Sequence, residues 1–150
     1  MKEFDLLSVY PLLNKRFVSK NTRKIENRII ASYRGKEFYD GKRDNGYGGF
    51  KYDGRWEKIA SRIFKHYKLK ENAKILQVGS DKGYLLHDFK VISPECSVAG
   101  VEVSDYAIKS TLNTVKRYIK KSNFTKLPFK DNTFDFVIAI GPIYSLNLPD

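Results

Sequence analysis

Ala73-Lys74-Ile75-Leu76-Gln77-Val78-Gly79-Ser80-Asp81-Lys82-Gly83-Tyr84-Leu85-Leu86 is the stretch that decides how the rest of the chain reads. Its first six residues, Ala73–Val78, have the length and apolar character of a buried parallel strand. A glycine follows at once, where a backbone can turn sharply and a ligand can approach the main chain. Apolar residues return at Leu85, Leu86 and Phe89, which fits a helix over Gly83–Val91. The pattern then repeats. Ser97–Val103 reads as a second strand and Asp105–Arg117 as a second helix, capped by Ser104 or Asp105. Tyr118–Asn123 is a weaker third strand, and Phe134–Ile140 is a buried fourth. Such alternation predicts an α/β fold with an open parallel sheet, flanking helices and right-handed crossovers. Four strands fall short of a complete fold of this type. An exposed apolar edge strand and a sheet covered on one face are therefore expected.

Upstream the character changes. Residues 1–37 read as irregular and then helical, with Asn21 or Thr22 capping a helix that carries Ile25, Ile29 and Ile30. Residues 38–56 alternate aromatics with Gly and Asp, through Phe38-Tyr39-Asp40-Gly41, Gly46-Tyr47-Gly48-Gly49 and Tyr52-Asp53-Gly54-Arg55-Trp56. That composition suits an ordered loop. Helical spacing resumes through Trp56, Ile59, Ala60, Ile63, Phe64 and Tyr67. The chain thus divides into an N-terminal extension and cap, 1–72, and a partial α/β core, 73–150.

At 150 residues the chain is about one domain's worth of sequence, and 41% hydrophobic with 30% charged residues is ordinary for a globular protein. No apolar run approaches the ~20 residues of a membrane span, and the N-terminus lacks the pattern of a secretory signal. A single cysteine, Cys96, can form neither an internal disulfide nor a cysteine metal cluster, which points to the reducing cytoplasm. The net charge of +11 is concentrated in residues 1–72, which hold 18 Lys/Arg against 9 Asp/Glu. A nucleic-acid footprint is one reading of that excess. Of the 28 basic residues, however, 20 are Lys and 8 are Arg, the better phosphate clamp. A Lys-rich composition bias is the favoured reading. Nothing in the sequence indicates an oligomeric state.

Three segments carry the chemistry. The first is the turn Gly79-Ser80-Asp81-Lys82-Gly83 between strand and helix, where helix N–H groups and a positive dipole face the carboxyl edge of the sheet. The second is Glu102 at the end of the second strand, nineteen residues after Gly83. An acid there can accept both hydroxyls of an adenosine ribose. The third is the loop after the third strand, where Asn123 can bond the edge of a base and Phe124 can cover its face.

Together these segments resemble the class I, Rossmann-like S-adenosylmethionine (SAM)-dependent methyltransferases. The resemblance rests on Ile75 to Gly83, on Glu102 and on Leu127 to Val137, and it extends over about residues 36–150. It looks closest to a methyltransferase type 11-like bacterial subgroup that also carries the Phe38–Gly41, Gly46–Gly49 and Tyr52–Trp56 segments and the run Val103–Ile108. It implies that Gly79, Ser80, Asp81 and Gly83 cradle the methionine end of SAM, that Glu102 holds the ribose and that Asn123 and Phe124 flank adenine. Val103 and Ile140 would line the same crevice, and Gly141 to Tyr144 would lie near the transferred methyl. Tyr47, Tyr52, Arg55 and Trp56 would form a lid or line the acceptor pocket, with Arg55 facing a carboxylate, or else belong to an N-terminal strap packed on the sheet with no ligand role. The chain departs from the family pattern in two places. Gln77 stands where an acid that helps hold the SAM amino group is usual, and Asp81 replaces the middle glycine.

Tyr144 is the best-placed candidate for a general base, against the simpler reading of a packed aromatic. His66 and His87 read as a surface residue and a helix-face residue, and no metal site is predicted. The function implied is methyl transfer to a small-molecule acceptor. An RNA or protein methyltransferase, or a non-catalytic SAM-fold remnant, is the alternative. A nucleotide-binding oxidoreductase fits poorly, because Asp81 and Tyr84 stand where a Gly-x-Gly-x-x-Gly turn needs glycine.

Overall fold

A computed structural model describes residues 4–11 and 23–142. Strand β1 (Lys74–Val78) pairs with β2 (Ser97–Glu102) on one side and β4 (Phe136–Ala139) on the other, and β3 (Ile119–Lys121) flanks β2. All pairings are parallel and the order is β3-β2-β1-β4. The expected open parallel sheet is therefore present. Helix α4 (Tyr84–Ile92) follows β1 and α5 (Asp105–Lys109) follows β2, while α1 (Ile25–Ser32), α2 (Lys36–Tyr39) and α3 (Glu57–Tyr67) precede the sheet.

Alternation along β1 divides the core. Ile75 joins Val98, Ile138 and the apolar faces of α3 and α4, Ile59, Ala60, Ile63, Leu85, Leu86 and Phe89. Leu76 and Val78 point the other way and, with Val101, meet Phe124, Phe129 and Phe134. Each fully buried Ile, Leu or Phe contributes about 1.5–3 kcal/mol. The α3 stripe lies in the same cluster as β1 and α4, so part of segment 1–72 shares the core of the sheet.

Three expectations are corrected. The helix read over Asp105–Arg117 stops at Lys109. Ser110-Thr111-Leu112-Asn113-Thr114-Val115 is poor in helix formers, Thr111 Oγ1 donates back to Ala107 O, and Leu112 N donates to Lys82 O instead of continuing the helix. The fourth strand forms, but only Ile138 is buried in it; Val137 is 54% exposed on the edge strand. The N-terminal helix begins at Ile25 after Lys24, whose N–H donates to Asn27 Oδ1. Asn21 and Thr22 lie outside the described residues, and Ile25 and Ile29 are exposed. The cap read at Ser104 is present: its Oγ accepts from Ala107 N. Among the described residues no helix is long and apolar enough to cross a membrane.

Candidate functional site

The carboxyl ends of β1 and β2 are tied together by main-chain groups. Gly79 N and Ser80 N both donate to Val101 O, at 2.9 and 3.0 Å, and Gly83 N closes the turn on Ser80 O at 2.8 Å. Gly79 has φ +73°, and a Cβ there would lie 3.2–3.3 Å from the Pro142 ring. Asp81 also takes positive φ, +49°, which Asp tolerates better than most residues. Its N–H donates to Glu102 Oε2 at 2.8 Å. Glu102 Oε1 accepts from Val103 N at 2.8 Å and Ser104 N at 2.9 Å. The turn and the acid, nineteen residues apart in sequence, thus meet through a fully buried carboxylate holding three N–H groups.

The aromatic-glycine segment is fastened across this tip as a strap. Tyr39 OH donates to Asp81 Oδ1 at 2.7 Å and Tyr47 OH to Oδ2 at 3.4 Å. Lys82 Nζ donates to both oxygens of Asp40, at 2.8 and 2.7 Å, and to Phe50 O at 2.8 Å. Tyr84 OH also reaches Phe50 O, and Tyr106 OH reaches Asp40 Oδ2. Tyr52 OH donates to Asp88 Oδ1 at 2.6 Å. The sequence assigns no individual role to Tyr39, Asp40 or Lys82. The signal for them was the aromatic-acid alternation of residues 38–56, which identifies a segment but not which ring reaches the sheet.

Charge is held in opposite ways on the two sides of the strap. Burial pulls the Asp40 carboxyl up, but hydrogen bonds from Lys82, Tyr106 and Phe50 N outweigh it and leave it below the usual carboxylate range. Asp81 is pushed up to about 6, first by burial and then by the neighbouring Glu102 charge. Burial, with Asp81 and Glu102 beside it, also raises the Tyr39 phenol. An Asp raised in the folded state binds its proton more tightly there than when unfolded. Its stabilising contribution is complete below about pH 4 and is lost as pH rises through about 6. Asp81→Asn is therefore expected to melt above the parent at pH 8, by roughly 1–2 kcal/mol for a part-exposed group. The two should converge near pH 4. Equal gaps at both pH values in a thermal melt would contradict this.

The other sequence-predicted residues divide. Ser80 and Glu102 are buried at the tip, and Val103 adjoins it. Gly83, with φ +76°, caps α4, and a Cβ there would meet Val115, Thr111 and Ile119. Asn123 is exposed and its Oδ1 accepts from Lys126 N at 2.9 Å. Phe124 packs against the Leu76, Val78 and Val101 face. Ile140 packs on the α3/α4 side. Of the four lid residues the structure brings Tyr47 to the tip and Tyr52 to α4. Arg55 instead clasps Asp53 and donates to Tyr10 OH at 3.0 Å. Trp56 lies against Tyr10, ring centroids 5.1 Å apart. Neither touches the tip residues, because local partners at i−2 and in the N-terminal segment take both side chains. His66 stacks on Phe4, and His87 Nδ1 lies 2.9 Å from Thr114 Oγ1. Tyr144 lies outside the described residues.

The methyltransferase-domain family profile matches residues 76–150, half of the chain and the half that holds the turn and the acid. The chain belongs to that family. The methyltransferase domain is similar in fold to a putative SAM-dependent methyltransferase from Methanococcus maripaludis. That match has 14% identity and a TM-score of 0.54, and covers 89% of this chain and 57% of that one. A SAM-dependent methyltransferase from Aquifex aeolicus (21% identity, TM-score 0.44, 77% and 57% covered) and MccD protein (21%, 0.46, 52% and 37%) also match. The chain therefore spans between about a third and three-fifths of those proteins' own lengths. No curated protein matches it.

The residues at the tip suit SAM as a methyl donor. Gln77 Oε1 and Ser80 Oγ are buried without a hydrogen-bond partner. The Glu102 carboxylate has about four acceptor positions, of which three are used, leaving one on Oε2. SAM brings what such an acceptor-rich tip lacks: two sugar hydroxyls, an ammonium and a sulfonium.

Proposed function

We propose that this protein transfers the methyl group of SAM to a small-molecule acceptor. The observation that carries the reading is the junction of Asp81 N with Glu102 Oε2. It places the β1 turn and the β2 acid at one point on the carboxyl edge of the sheet. Bound SAM supplies an electrophilic methyl on a positively charged sulfur, so the donor arrives already activated. The chain's own work is then positional. Glu102 holds a sugar hydroxyl through its unused acceptor position, the turn 79–83 sets the distance to the main chain, and the strap keeps water away. Holding nucleophile, carbon and leaving group in line accounts for much of the acceleration in displacements of this kind. A base is needed only where the acceptor must lose a proton, and Tyr144 is the candidate for that role.

Calorimetric titration with SAM and, separately, with NADH tests the donor. Binding of SAM in the submicromolar to tens-of-micromolar range, with none for NADH, is expected. NADH binding alone would replace the reading with an oxidoreductase one. The acceptor class is tested by adding RNA over a salt series. A small-molecule enzyme should show weak RNA binding, whereas affinity falling steeply with salt would favour a nucleic-acid substrate.

A further inference from the structure

Helix α1 is turned the opposite way from an ordinary surface helix, whose apolar stripe faces the core. Ile25, Ile29 and Tyr33 recur every four residues and so share one face. That face points outward: the three residues are 73%, 50% and 77% exposed. The half-buried side carries Asn27, Ile30 and Ala31. Polar contacts fix this rotation. Asn27 Nδ2 donates to Asn45 Oδ1 in the strap at 2.8 Å, and Arg23 Nε donates to Asp44 O at 2.7 Å. The charge around the stripe is basic. Lys24 and Arg28 are exposed on α1 and beside it, and residues 23–37 hold five Lys/Arg against two Asp/Glu. The C-terminal end of α1 reaches the β3 side of the sheet. Ser104 Oγ donates to Arg34 O there, and the neighbouring Asp105 pairs with Lys121 of β3 at 2.6 Å. Residues 106–130 on that side carry seven exposed Lys/Arg and no acid.

We propose that α1 docks this protein on an anionic lipid surface. Ile25, Ile29 and Tyr33 enter the headgroup boundary, and the Lys and Arg side chains around them face lipid phosphate and carboxylate. An apolar stripe among basic residues is the composition of helices that lie in a membrane interface. Tyr33 suits that depth because its ring is apolar and its hydroxyl polar. Each Lys or Arg near such a surface strengthens binding by about fivefold, and salt screens the effect. Two other occupants fit less well. A second copy would set Lys24 and Arg28 against a chain that also carries a net charge of +11. Nucleic acid would use the basic side chains but leave the isoleucines in water. Three apolar side chains make a reversible anchor. Because α1 ends beside Ser104, two residues past Glu102, docking brings the carboxyl edge of the sheet to the lipid. No part of this depends on the identity of the methyl donor.

Co-sedimentation of the full chain with lipid vesicles tests the docking. One set is phosphatidylcholine alone, and the other phosphatidylcholine with phosphatidylserine at about two to one. The parent should bind the mixed vesicles at least about tenfold tighter than the neutral ones, and less tightly as salt rises. Ile25→Ser/Ile29→Ser should weaken that binding by about ten- to hundredfold, the worth of partly burying two isoleucines. Its melting temperature should match the parent's, since both positions are exposed. Arg28→Gln should cost about fivefold. Tyr33→Trp should be quenched by brominated lipid more than the parent, whose single tryptophan is Trp56. Full affinity in the isoleucine variant would mean adsorption through basic residues alone and overturn the proposal. A parent that does not bind mixed vesicles would overturn it too, and dimers in sedimentation or tight RNA binding would then name the other occupant. If the isoleucine variant does not fold, the quenching decides. A quenched Tyr33→Trp supports docking through the stripe, and an unquenched one overturns it.

Discussion

A Glu102→Ala chain is expected to lose about 3–6 kcal/mol of folding stability, whatever it does to ligand binding. The carboxylate is fully buried and holds three backbone N–H groups, those of Asp81, Val103 and Ser104. Each buried donor left without a partner costs about 1–3 kcal/mol, and water entering the vacated space recovers part of that. In a domain of this size each kcal/mol moves the melting temperature by about 2–4 °C, so a drop on the order of 10 °C is expected in a thermal melt. A variant melting within a degree or two of the parent would show that the carboxylate is not the strut described. The consequence for function is direct. Lost SAM binding in Glu102→Ala cannot by itself be assigned to the ribose. Glu102→Gln is the cleaner probe. Its Oε1 can keep Val103 N and Ser104 N, while its Nε2 confronts Asp81 N, donor against donor. A ribose contact is then read by a cycle with 2′-deoxy-methylthioadenosine. The parent should penalise the missing hydroxyl, and Glu102→Gln should no longer distinguish the two ligands.

The same residue shows why parts of this molecule could be read before the structure and others could not. The β1 turn and the β2 acid are local patterns: an apolar run broken by glycine, then a second run ending in Glu102. Their meeting follows from parallel pairing in register, Gln77 beside Gly100 and Val78 beside Val101. What Glu102 does with its oxygens is not periodic, and nothing in the spacing shows that three N–H groups would claim it. The strap illustrates the limit further. Aromatic-glycine alternation marked residues 38–56 as an ordered loop, but which ring reaches Asp81 depends on where α2 ends. Tyr39, its last residue, points inward; Arg55 and Trp56, at the other end, are taken by Asp53 and Tyr10. Helix α5 ends at Lys109, short of the Arg117 expected from the sequence. Ser110, Thr111, Asn113 and Thr114 favour other backbone arrangements, and Thr111 Oγ1 donates back to Ala107 O. Strand β4 was read as buried from its composition. Burial depends on the elements packed against it, and Val137 faces none that shield it.

Gly83→Ala should be the most damaging of the small substitutions at the tip, for a reason unrelated to any ligand. Sequence reading placed Gly83 in the cofactor cradle, where glycine lets a ligand near the main chain. In the structure its α-carbon faces protein. A Cβ would come 2.9 Å from Val115 Cγ2, 3.0 Å from Thr111 Cγ2 and 3.2 Å from Ile119 Cδ1. Val115 and Thr111 come from the run that left the helix after Lys109, and Ile119 opens β3, so the shortened α5 and the glycine at the start of α4 are one packing solution. Positive φ, +76°, adds about 1–2 kcal/mol for a residue with a Cβ, and forcing apart a packed contact adds about 1–3. The sum is roughly 2–5 kcal/mol. Gly54 is the control: it has φ +75° and nothing within 4 Å of a built Cβ, so Gly54→Ala bears the backbone cost alone. Gly79→Ala falls between them, with φ +73° and the Pro142 ring at 3.2–3.3 Å. Melting temperatures should therefore fall in the order Gly83→Ala, Gly79→Ala, Gly54→Ala, the first lowest. If Gly83→Ala is no worse than Gly54→Ala, the packing against Val115 and Thr111 is looser than described. The need for glycine at position 83 would then return to the ligand side of the turn.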